Sequence, residues 1–169
     1  MTKMEENQDQ IFDNVLVPLN IVKTIIVKEF KGKCIDVGYC NGRHLKLMPT
    51  GSIGIDIDDR SNKELGGYVL LKTDLNKNKL HLESNTFDTL FCSHVIEHLD
   101  SPHLILKEFK RIVKPNGKII LGVPNAQCIP RHYYEKKRKR FHFNAWDYHT
   151  FKKTLCTHDL KVVKFLTNH

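Results

Sequence analysis

No stretch of this 169-residue chain approaches the roughly 20 consecutive apolar residues that cross a bilayer, so no membrane span is expected. The chain has no C-x-x-C pair; its five cysteines, at positions 34, 40, 92, 128 and 156, are scattered and odd in number. That argues against a disulfide frame. Cys34 and Cys92 fall within apolar runs and read as small buried thiols in a reducing cytosol. The first ten residues are polar and carry acids, so a disordered terminus is expected there rather than a signal or transit peptide. A cytoplasmic protein is the expectation, with residues 11–169 forming one domain large enough for a substantial core.

What is present begins with Cys34-Ile35-Asp36-Val37-Gly38-Tyr39-Cys40-Asn41-Gly42, where an apolar run stops in a glycine turn. A second apolar run, Ile53-Gly54-Ile55, ends in Asp56 about twenty residues later. Strand, glycine loop, short helix, strand and terminal acid describe a βαβ unit that holds a ribose at a sheet edge. Further strands are expected at residues 68–72, 86–92, 118–123 and 160–166. Helices are expected from Pro18 to about Phe30, over residues 104–113 between Ser101-Pro102 and Pro115-Asn116-Gly117, and over residues 146–156. Near-continuous apolar strands fit a parallel sheet covered by helices on both faces. The fold class is therefore α/β, a doubly wound, mostly parallel sheet of about six strands.

The glycine loop is D-x-G-x-x-x-G and lacks the G-x-G-x-x-G pattern whose second glycine admits a pyrophosphate. Asp36 stands directly before the turn, where its charge repels phosphate and suits an ammonium or a sulfonium. S-adenosylmethionine has both cations and no phosphate. Asp56 suits the two ribose hydroxyls, and Asp74, closing the third strand, suits the adenine amino group.

These pieces, with Thr73-Asp74-Leu75, Phe87-Asp88, Ser93-His94-Val95-Ile96-Glu97-His98-Leu99 and the run Leu106 to Pro124, resemble the class I S-adenosylmethionine-dependent methyltransferases. The likeness is to the broad small-molecule group that includes quinone-biosynthesis enzymes, and it covers about residues 30–125. It implies a Rossmann-like fold in which Asp36, Gly38, Tyr39 and Gly42 border the methionine part and Asp56 the ribose. Ile57, Asp74 and Leu75 would line the adenine, with Ser93 and His94 beside the sulfonium. Two departures stand out. Cys40 replaces the usual middle glycine, and no sequence remains for the customary seventh strand, which leaves a sheet edge open to a protein partner.

His94-Val95-Ile96-Glu97-His98 also spells H-x-x-E-H, the inverted zinc-peptidase spacing. His94 falls in a strand-to-helix loop, no third ligand is evident, and zinc would leave the glycine loop unexplained; no metal is expected. His94 or His98 as general base is the alternative use, since histidine titrates near physiological pH. Asn125, Arg131, Tyr133 and His142 follow the fifth strand and are candidates to bind a methyl acceptor, a small molecule in the first instance. Net charge is +8, and six of the ten residues from 131 to 140 are Lys or Arg. That run, ending in Lys136 to Arg140, suits an anionic or nucleic-acid acceptor as well as a solvated loop. A methyltransferase-like binding module without activity remains the other functional class.

Overall fold

The computed structural model describes residues 19–58, 65–77, 79–126 and 143–166, with the side chains of residues 19–23 outside the description. The expected disordered stretch 1–10, Pro18, Arg131, Tyr133, His142 and the run Lys136 to Arg140 all lie outside these residues.

Helix α1 (Leu19–Glu29) leads into β1 (Cys34–Val37), β2 (Ile53–Asp56), β3 (Val69–Lys72) and β4 (Phe87–Ser93); α2 (Pro102–Ile112), β5 (Val113–Gly122) and α3 (Tyr148–Cys156) complete the order. All four pairings are parallel, in the order β3-β2-β1-β4-β5. The chain winds outward from β1 to β3, then crosses back to lay β4 on the other side of β1. This is the doubly wound arrangement, and its direction reverses between β1 and β4. Ligands of such sheets bind at the carboxyl ends of the strands beside that point.

Alternation along the strands feeds two cores. Ile35, Val37, Ile55, Leu90 and Cys92 pack with Ile105, Leu106, Phe109 and Ile112 of α2 and with Phe151 and Leu155 of α3. Cys34 and Phe91 point the other way, toward Phe30, Tyr39, Leu45, Met48 and Leu65, with Ile26 of α1 against them. Helices therefore cover both faces, as the apolar strands required. Pro102 starts α2 near its first turn, where a missing N–H costs nothing. Asp147 and Thr150 form a reciprocal capping box that starts α3, two residues after the expected Trp146. Only short 3₁₀ turns, Leu45–Leu47 and Leu75–Lys77, follow β1 and β3, in keeping with the few residues available there.

Two expectations are corrected. Residues 160–166 were expected as a sixth strand but join no ladder. Their alternating apolar side chains are satisfied differently: Leu160 and Val162 pack on the larger core, and the Phe165 ring lies 4.4 Å from that of Tyr148. Strand β5 also begins earlier than expected. Val113 pairs with Phe87, Lys118 with Thr89, and the intervening Pro115-Asn116-Gly117 bulges out, with Asn116 at φ 65°. Among the described residues β3 and β5 are the sheet edges, and Val69 and Leu71 on β3 are exposed.

Candidate cofactor and active site

Because every strand is parallel, the acids predicted from sequence arrive at one end of the sheet. Asp36 lies near the end of β1 and Asp56 closes β2, while Asp74 follows β3 by two residues. The Thr73 N–H donates to the Asp56 carbonyl at 2.7 Å, which ties the β3 exit to the β2 end.

The turn after β1 alternates its handedness. Gly38, Cys40 and Gly42 take φ of 77°, 51° and 74°, so three positions two apart adopt the left-handed region. Glycine enters that region freely, whereas a residue with a Cβ pays roughly 1–2 kcal/mol. The left-handed backbone at Cys40 explains why a glycine suits this place. Three contacts to β2 hold the loop, one of them from the Tyr39 N–H to the Ile55 carbonyl at 3.3 Å. The Gly38 N–H donates to the Ile55 carbonyl at 2.7 Å, and the Cys40 N–H donates to Asp56 Oδ2 at 2.9 Å. Asp56 Oδ1 accepts from the Asp58 N–H at 3.1 Å. Each oxygen keeps a further lone pair for an incoming hydroxyl.

Asp36 is only 1% exposed, and its Oδ2 has no hydrogen-bond partner. Burial, reinforced by the negative charge of Asp56, pushes its carboxyl up to about 7 despite a hydrogen bond from the Leu45 backbone. A buried carboxylate with an unsatisfied oxygen calls for a cation or donor from outside the chain.

Across the switch point, β4 ends at Ser93, and His94 turns sharply at φ 56° with its N–H donated to the Gly122 carbonyl at 2.9 Å. Ser93 is half-buried and His94 exposed. Glu97 follows in the 3₁₀ turn Ile96–His98 and is buried. Burial, then the charges of Asp36 and Glu97, push the Cys92 thiol well above its usual range, which places both acids around one strand end.

The remaining candidates divide. Ile57, directly after β2, is an apolar side chain left 57% exposed. Asp74 is half-buried, its Oδ1 accepting from the Asn76 N–H at 3.0 Å, and Leu75 is half-buried against the larger core. Tyr39, by contrast, turns its ring into the smaller core, where Gly54 makes room for it. Only its backbone belongs to the loop. The Asn125 backbone bridges to Trp146, whose ring packs on Phe151 at a centroid distance of 5.4 Å. The aromatic Trp146 thus belongs to the larger core. Asn144 pins this segment to the β4 exit, with its N–H on the Glu97 carbonyl at 3.1 Å and its Nδ2 on the Leu99 carbonyl at 2.8 Å. Sequence reasoning missed Glu97 as a buried acid whose oxygens accept no hydrogen bond; its place between two histidines was the available signal. Among the described residues, no three His, Cys, Asp or Glu side chains are grouped so as to hold a metal ion.

Residues 35–121 match the family model described as Methyltransferase domain, 87 of the 169 residues. The tRNA U34 carboxymethyltransferase of Nautilia profundicola is 32% identical over 140 residues, covering 72% of this chain and 46% of that protein. The chain thus spans about half the length of that relative. A solved S-adenosylmethionine-dependent methyltransferase from Archaeoglobus fulgidus superposes with a TM-score of 0.67 at 24% identity, over 86% of this chain and 70% of its own. A chain from the complex between the Haloferax volcanii Trm112 methyltransferase activator and a methyltransferase gives a TM-score of 0.70 at 14% identity, over 83% and 68%. The structural likenesses carry the fold. The family match does not separate out the quinone-biosynthesis group, and nothing in these likenesses supports a zinc peptidase or an inactive scaffold.

Proposed function

Since this chain belongs to the S-adenosylmethionine-dependent methyltransferases, we propose that its crevice presents the donor's methyl group in line to an O, N or C nucleophile of a small-molecule acceptor. The observation that carries the reading is the buried, unpartnered Oδ2 of Asp36. It fits S-adenosylmethionine, whose ammonium would supply the missing donor and charge. Asp56, already fixing the loop through Cys40, accepts from the ribose hydroxyls. Ile57 offers an exposed apolar face to the adenine, with Asp74 and Leu75 beside it. Ser93 and His94 border the reacting end. When bound, the donor supplies an electrophilic methyl on a good, neutral leaving group. The protein's task is then alignment, which contributes on the order of 7–11 kcal/mol for well-held reactants. An acceptor that must lose a proton finds His94 and His98 at the β4 exit. Asn125, Arg131, Tyr133 and His142 stay the acceptor-binding candidates.

A second reading makes the acceptor a nucleic acid. The six cations among residues 131–140 and the 32% identity to a tRNA-modifying enzyme favour it. The edge that β3 or β5 presents among the described residues would suit a protein partner, as the activator complex of the Haloferax neighbour illustrates for that protein.

A melt with saturating S-adenosylmethionine tests the core of the proposal. Ligand at 100 times Kd stabilises by about 2.7 kcal/mol, a rise of several degrees. An unchanged melting point in wild type would overturn it. Binding of bulk tRNA, with affinity falling steeply as salt rises and lost when Lys136 to Arg140 are neutralised, would select the second reading.

A further inference from the structure

Glu97 is 1% exposed, and neither of its oxygens has a hydrogen-bond partner. A buried carboxylate without donors is costly, so the groups facing it matter. Its ion-pair neighbours are two imidazoles. His94 Nδ1 lies 3.4 Å from Oε1, and His98 Nε2 lies 3.9 Å from the same oxygen. His94 is the closer and the better placed. Its side chain is 65% exposed, so the ring meets a buried acid on one edge and stays largely open elsewhere. Its backbone sits in the left-handed region at φ 56°, held by the bond to Gly122. Non-glycine residues stay there only when their surroundings enforce it, at a cost of order 1–3 kcal/mol.

Resting on the methyltransferase reading above, we propose that Glu97 is a positioning residue that fixes His94 with its proton on Nδ1, so that Nε2 is the lone pair offered to the methyl acceptor. A carboxylate beside one imidazole nitrogen selects the tautomer protonated there and frees the other nitrogen. As the acceptor's oxygen or nitrogen bonds to the methyl carbon, the carbon–sulfur bond breaks and its electron pair stays on sulfur. The acceptor's proton passes to His94 Nε2, and the imidazolium formed faces the Glu97 carboxylate. After product leaves, that proton passes to water. The acids of the glycine loop serve the donor; Glu97 serves the base.

The test needs no acceptor. Protein labelled with ¹⁵N in histidine is observed at pH 8 by long-range proton–nitrogen correlation, with His94→Gln and His98→Gln assigning the two rings. Wild type should show His94 mainly as the Nδ1–H tautomer. Glu97→Leu should revert it to mainly Nε2–H, the form favoured in water, while Glu97→Gln, which keeps an acceptor oxygen, should retain most of the Nδ1–H form. S-adenosylmethionine affinity should stay within about twofold in both variants. A wild-type His94 that is mainly Nε2–H overturns the inference, and needs no variant to fold. If His98 rather than His94 responds to Glu97→Leu, it is overturned as well. Failure of wild type to bind S-adenosylmethionine, with the tautomer as stated, would instead sink the cofactor reading alone.

Discussion

The backbone N–H of Cys40 donates to Oδ2 of Asp56 at 2.9 Å, so the acid closing β2 also clamps the turn that follows β1. One carboxylate thereby sets the shape of the loop and, in the proposed site, is also the acceptor for the ribose hydroxyls. Cys40 holds this contact at φ 51°. Cys40→Gly should therefore keep S-adenosylmethionine affinity within about twofold and leave stability equal or up to ~1 kcal/mol higher, as relief of the left-handed backbone offsets the extra freedom of the unfolded chain. Cys40→Val should lose about 1–2 kcal/mol, because a β-branched residue resists positive φ. Urea midpoints of the two variants check this; a Val variant as stable as wild type would contradict it.

Asp36 couples pH to both stability and binding. Its carboxyl is pushed from 3.8 up to about 7, so the native state holds a proton that the unfolded chain has released. That contribution is fully present below pH 3.8 and is lost as pH rises through about 7. Asp36→Asn should match wild type near pH 4 and exceed it at pH 8 by roughly 2–4 kcal/mol, yet bind S-adenosylmethionine at least tenfold more weakly. At pH 7, wild-type binding should release part of a proton as the ammonium takes its place. Calorimetry in two buffers of different ionisation enthalpy measures that release, and identical heats would refute it.

A second pH response belongs to α2 and the end of α3. His103 Nδ1 and His158 Nε2 lie 2.8 Å apart, a hydrogen bond needing one proton between them. Burial first, then the charges of His103, Lys107 and Lys110, hold His158 below its usual value, with Asp159 opposing. A depressed histidine favours the fold above its unfolded value of 6.5 and withdraws that support as pH falls below it. As pH falls from 6.5 to 5, wild type should lose more stability than His158→Leu. Parallel slopes for the two proteins would assign the pH response elsewhere.

Arg111 fastens the loop before β4. Its guanidinium donates to the Leu82 and Leu80 carbonyls at 2.8 and 2.9 Å and to both oxygens of Glu108, and Glu108 accepts from the Leu80 N–H at 2.9 Å. The Arg111 bonds hold the Glu108 carboxyl below its usual range. Arg111→Ala should cost about 1.5–3 kcal/mol, and Arg111→Lys most of that, since one ammonium cannot span the same fork. S-adenosylmethionine affinity should not change. Chemical denaturation and calorimetry separate the two effects.

The path from residues to site was readable where local chemistry and global fold agree. Apolar runs ending at Asp36 and Asp56, with glycines at 38 and 42, described a β-turn-β edge whose acids must converge in any parallel sheet. It failed where a pattern has two ways to be satisfied. Alternation over residues 160–166 fits a strand ladder or a chain laid on the core, and the second occurs. Pro115-Asn116-Gly117 breaks a helix or bulges a strand, and it bulges β5. The Tyr39 ring beside the glycine loop had a crevice or a core to choose, and the space left by Gly54 took it inward.

Sequence alone determined the first five strands along the chain, the acids at their ends and the family, because each strand and turn pattern rests on residues within a few positions of one another. Tertiary structure decided the clamp between Cys40 and Asp56, the solitude of the Asp36 oxygen and the burial of Glu97 against His94. Those depend on which strands become neighbours, and no local propensity encodes a distance between segments sixteen or more residues apart or the loss of water around a charge.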